Sequence, residues 1–147
     1  LAKDLLDKAI QFHDPSGGWS RFNGTLTVAM QLPEGATRVS TIDINLPQEY
    51  FSISAQRDSV VTRYTLSKEK CTTSIKNVAP KAKRTPCETA ILYKNYYTYL
   101  FGLPMKLKDT GTNISETVRR LPFKGKEYLV LQASYDEGVG TDVWRFY

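Results

Sequence analysis

"YKNYYTYLFGLPMKLKD", residues 93–109, sets Tyr93, Tyr96, Tyr97, Tyr99 and Phe101 within nine positions, just before Gly102 and Pro104. From Ala90 to Phe101 there is no glycine or proline, and Ala90, Ile91, Tyr93, Tyr96, Tyr97, Leu100 and Phe101 nearly ring a helical cylinder. A helix apolar on nearly all sides is expected to be buried on most of them. Thr85 or Glu88 supplies its start, and Gly102 and Pro104 its stop. Three roles compete for the segment: a catalytic loop, a membrane-touching element, or a plug that fills a hollow.

The flanking sequence favours the plug. Upstream, from Trp19, apolar residues recur with a period of two: Phe22, Gly24, Leu26, Val28 and Met30, then Ile42, Ile44 and Leu46, then Phe51, Ile53 and Ala55. "SVVTRYTLS" and "CTTSIKN" continue the alternation, with short polar turns such as "QRDS" and "SKEK" between. This is an antiparallel meander with one wet and one dry face. Downstream, "TVRRLPFKG", "KEYLVLQASYDE" and "TDVWRFY" read as further strands, with "FKGKE" and "DEGVGT" as hairpin turns. At the start, "LAKDLLDKAIQFHD" has Leu1, Leu5, Ala9 and Phe12, with Leu6, Ile10 and His13 beside them, at helical steps, ended by Pro15 and Gly17–Gly18. The fold class is therefore α+β: a curved antiparallel sheet forming an unclosed barrel, with the N-terminal and central helices covering its concave face. A single domain over residues 1–147 is expected, lacking a further C-terminal strand because the chain stops in mid-strand at Tyr147.

Composition narrows the chemistry. With 41% hydrophobic and 24% charged residues the chain is that of a folded domain, and no apolar run approaches the roughly 18–20 residues that cross a bilayer. No signal peptide is visible, so any targeting segment would have preceded Leu1. The net charge of +5 is spread over "PKAKR" (Pro80–Arg84), "MKLKD" and "RRLPFKGKE", with acids between. Scattered charge is a solvated surface and no nucleic-acid track. Cys71 and Cys87 bracket a Lys/Pro-rich connection; the spacing favours a disulfide over two buried free thiols, and a metal site least, since the one histidine, His13, is remote. A disulfide implies a compartment outside the cytosol. His13 lies on or beside the apolar face of its helix, which suits a packed structural role. No nucleophile elbow, zinc-protease, phosphate-loop or dinucleotide motif occurs. No catalytic residue, metal site or cofactor is expected.

The segments "LLDKAIQFHDPSGGWSRFNGTL", "CETAILYKNYYTYLFGLPMKLKDTGT" and "FKGKEYLVLQASYDEGVGTDVWRFY" closely resemble a family of uncharacterised bacterial secreted or lipid-anchored proteins. No activity comes with that resemblance. The order of helix, meander, inserted helix and closing strands is also similar in architecture to the LolA/LolB-type carriers of the bacterial periplasm. In that fold an open barrel accepts acyl chains. These likenesses imply a periplasmic or outer-membrane-anchored protein, with peripheral membrane association through a lipid anchor upstream of Leu1. The expected function is non-catalytic binding of a lipid or other apolar small molecule in the concave face, with Tyr96, Tyr97, Phe101, Met105 and Leu107 as the cavity wall. The alternatives are an envelope interaction or scaffold domain with a filled core, and an unrecognised hydrolase.

Overall fold

The computed structural model describes residues 1–76 and 83–147. Most of the basic stretch at Pro80–Arg84, up to residue 82, lies outside the described residues; Lys83 and Arg84 are exposed. The chain forms two compact units, one of Gly18–Phe101 and one of Leu1–Gly17 with Gly102–Tyr147.

In the first unit the alternating sequence becomes five strands, β1 (Asn23–Met30), β2 (Arg38–Asn45), β3 (Tyr50–Arg57), β4 (Val60–Ser67) and β5 (Lys70–Lys76). They pair antiparallel in the order β1-β2-β3-β4-β5, as short turns require. One face carries rows of cross-strand neighbours. Gly24, Ile44, Phe51, Leu66 and Cys71 form the first row, and Leu26, Ile42, Ile53, Tyr64 and Thr73 the second. Val28, Ser40, Ala55, Thr62 and Ile75 form the third. At Gly24 a Cβ would come within 3.0 Å of the Phe22 ring, so glycine leaves room for that ring, which stacks on Trp19 at 5.4 Å.

The helix α2 (Pro86–Phe101) lies over β3, β4 and β5 on this face. Its start is a capping box: the Glu88 N–H donates to Thr85 Oγ1 (3.2 Å), and the Thr85 N–H donates to the Glu88 carboxylate (2.8 Å). A disulfide joins Cys71 on β5 to Cys87 in the first turn of α2. The expectation of burial on most sides of this helix is corrected. Only Ala90, Tyr97 and Thr98 are buried, while Ile91, Leu92, Tyr96, Leu100 and Phe101 are exposed. A sheet offers one face, so it takes the stripe Ala90–Tyr93–Tyr97 and leaves the rest of the cylinder uncovered by that sheet.

The second unit holds α1 (Ala2–His13), a 3-10 turn (Met105–Lys108) and β6 (Thr112–Ile114), β7 (Arg119–Phe123), β8 (Lys126–Tyr135) and β9 (Trp144–Phe146). The long β8 is central: β7 pairs with its first half, β9 and β6 with its second. Lys124 and Gly125, at φ 47° and 77°, make the tight turn between β7 and β8, as "FKGKE" predicts. The buried residues of α1 are Ala2 and Leu6, with Leu5, Ala9 and Ile10 half-buried, while Leu1 and Phe12, read from the sequence onto the same face, are exposed, Phe12 at 82%. Asp7 of α1 pairs with Lys108 of the 3-10 turn at 2.5 Å, and hydrogen bonding to that ammonium holds the Asp7 carboxyl below its ordinary range. Among the described residues the strands group into two antiparallel sheets rather than the single curved sheet expected, and in the chain α2 and the 3-10 turn stand between β5 of one and β6 of the other. Among the described residues no sheet closes into a barrel.

Two outcomes follow from these restraints. Replacing Cys71 and Cys87 by serine is expected to lower stability in urea melts by about 3 kcal/mol, the chain-entropy value for a loop of about 15 residues. The Thr85 hydrogen bonds hold the Glu88 carboxyl below its ordinary range. Its contribution to stability is therefore complete above the usual carboxylate pKa and is lost as pH falls through the depressed folded value. In pH-dependent melts Glu88→Gln should flatten the acid limb, while Thr85→Ala should cost about 1 kcal/mol at neutral pH.

Candidate functional site

The stripe of α2 that meets the sheet is a run of rings. Tyr93 lies 5.8 Å from Tyr64 and 6.2 Å from Tyr97, and Tyr97 lies 5.2 Å from Tyr96 and 6.3 Å from Phe101. Tyr97 is only 2% exposed and shares one apolar cluster with Ile42, Ile44, Phe51, Ile53, Tyr64 and Leu66. Burial, reinforced by the neighbouring Tyr93, pushes the Tyr64 phenol above the usual tyrosine range, against the lowering effect of its hydrogen bond with Thr62. It therefore stays protonated at neutral pH.

A phenol this deep needs a partner for its oxygen. Arg38, the first residue of β2, provides it: Nη2 donates to Tyr97 Oη at 2.8 Å and Nη1 to Tyr93 Oη at 3.1 Å. The guanidinium carbon sits 5.2 Å from the Tyr93 ring centre, within cation–π range. Sequence reasoning did not single out Arg38. The available signal was its place two residues before Ser40 and four before Ile42, which puts its side chain on the dry face of β2.

The five residues expected to line a cavity fall in both units. Tyr96, Tyr97 and Phe101 are brought together on α2, with Tyr97 in the core and the other two exposed. Met105 and Leu107 belong to the 3-10 turn of the other unit, where Leu107 is buried and Met105 half-buried. Within that unit a cleft of about 600 Å³ lies between α1 and β6, lined by Leu1, Ala2, Lys3, Leu6, Thr112, Ile114 and Glu116. Neither Met105 nor Leu107 lines it.

His13 is not packed as the sequence suggested. It is exposed at the last turn of α1, edge-on to Phe12 at 5.3 Å. No group of three or more His, Cys, Asp or Glu side chains gathers to hold a metal among the described residues, and no helix among them is long and apolar enough to cross a membrane.

The fold and this site define an α+β protein, with two α-helices and two antiparallel sheets among the described residues and an arginine–tyrosine cluster where one helix meets its sheet. The chain belongs to DUF6503, a family of unknown function, whose model matches residues 1–147. No curated protein and no solved structure matches the chain significantly.

The arginine–tyrosine contact is measurable. In urea melts Tyr97→Phe, which removes the acceptor from Arg38 and keeps the ring, is expected to cost about 1–3 kcal/mol. Tyr97→Ala, which also opens a cavity, should cost about 3–5 kcal/mol. Equal losses in the two variants would mean that the hydroxyl, not the ring, holds the helix.

Proposed function

We propose that the protein is a non-catalytic binder of a lipid or another hydrophobic ligand, working outside the cytosol, and that its five-stranded sheet with α2 is the core of a half-barrel of the LolA type. One observation carries the reading. The helix covers β3, β4 and β5, whereas the dry-face residues of β1 beside it, Leu26, Val28 and Met30, are only half-buried. An apolar strip flanked by a helix with exposed Ile91, Leu92, Tyr96, Leu100 and Phe101 suits an elongated apolar ligand. The Cys71–Cys87 disulfide supports the location, since structural disulfides persist in oxidising compartments. A tether upstream of Leu1 would place such a binder at a membrane surface.

A second reading has its own observation. Tyr97 is almost fully enclosed against Phe51 and Ile53, so the space between α2 and β3 is filled by the protein itself. On that reading the domain is an envelope interaction module, and the exposed side of α2 meets another protein.

Organic extraction of the purified protein followed by mass spectrometry separates the two. The carrier reading expects a co-purifying amphiphile and saturable binding of a fluorescent fatty acid, weakened several-fold by Val28→Glu. No extracted lipid together with no probe binding would leave the interaction module.

A further inference from the structure

The dry face of the five-stranded sheet is graded along the strands. The row through Phe51 carries no charge, the row through Ala55 brings in Ser40 and Thr62, and the row beyond is cationic. Val39 pairs with Gln56, so one step further along the same ladder Arg38 stands opposite Arg57. Strand alternation puts both on the face of Ile42 and Ile53. Like charges directly opposite across a sheet repel, and none of the ion pairs among the described residues involves either arginine. Asp58, next to Arg57, lies in the β3–β4 turn and accepts there from the Gln56 side chain through its backbone carbonyl.

The polar atoms at this end are donors short of acceptors. Arg38 Nε and Arg57 Nε are buried without a hydrogen-bond partner among the described residues, and so is Oγ of Ser40, a residue only 1% exposed. Arg38 already gives two N–H groups to Tyr93 and Tyr97, which leaves the proton of each phenol free to donate onward. Guanidinium, serine hydroxyl and phenol donors gathered here, with no carboxylate ion-paired to either arginine among the described residues, match one kind of guest, an oxyanion.

We propose that Arg38, Arg57 and Ser40 form a binding site for an oxyanion, a carboxylate or a phosphate. Resting on the apolar-ligand reading above, the site holds the headgroup of an anionic amphiphile whose chain runs along Val28 and Leu26. The anion relieves the repulsion between the two arginines and supplies the buried donors with an acceptor, while the rows beyond become steadily less polar in the direction the chain takes.

Binding of dodecanoate, dodecyl phosphate, dodecanol and inorganic phosphate to the intact protein, by calorimetry and probe displacement, tests this. The charged chains should bind about tenfold or more tighter than dodecanol, the usual gain from hydrogen bonds to a charged group. Arg57→Gln should bring them down to the dodecanol level and leave dodecanol itself unchanged. Arg38→Gln should do the same, but it also strips the tyrosines of a donor, so Arg57→Gln is the deciding variant. Equal binding of the three chains overturns the headgroup site and spares the apolar-ligand reading. Inorganic phosphate bound by the wild type and lost in Arg57→Gln, with no chain bound, keeps the anion site and removes that reading. Failure of every anion to bind overturns the proposal.

Discussion

A five-stranded meander has one face that must be shielded from water, and here α2 is set against it. That constraint governs the first unit. Phe51 and Ile53 are buried where α2 lies over β3–β5, Ile42 and Ile44 of β2 share their apolar cluster, and α2 presents Ala90, Tyr93 and Tyr97 because these recur at steps that keep to one side of a helix. The contact is held at two places by different means. A covalent bond ties the first turn of α2 to β5, and further along Arg38 donates to the hydroxyls of Tyr93 and Tyr97. Tyrosine suits the second place better than phenylalanine, because its ring fills the core while its oxygen answers a charge at the core's edge.

Much of this unit was legible in the residues. Alternation at Gly24–Met30, Ile42–Ile44 and Phe51–Ala55 assigned the dry face correctly, since a period of two has no other reading when the intervening residues are mostly Thr, Ser and Asp. The cysteine pairing and the Thr85 start of α2 were also visible, each having a local chemical signature. Which side of α2 faces the sheet was not. A helix apolar all round gives no phase, and only the sheet decides that Tyr97 goes in while Tyr96 stays out. The short β6 escaped for a different reason: three residues within "GTNIS" are too few to show a period, and their strand character comes from pairing with Ala133–Tyr135.

The candidate site was less legible than the fold. The aromatic stretch was correctly marked as unusual, and its helix ends at Gly102 as read. There the chain leaves α2 for a 3-10 turn that belongs to the other unit. Arg38 and Arg57 were overlooked because each stands at the end of its strand, where a charged residue reads as part of a turn. Only the register reveals that they share a rung, and register is a property of paired strands, absent from either segment alone.

The position of the disulfide along α2 gives the helix a mechanical polarity. Cys71 lies in the row of Gly24 and Phe51, three rows from the rung of Arg38 and Arg57. One end of α2 is thus riveted while the tyrosine end is clasped by exchangeable bonds. Any displacement of the helix on the sheet that keeps the disulfide is smallest beside that bond. It increases along the uncharged rows toward the arginines.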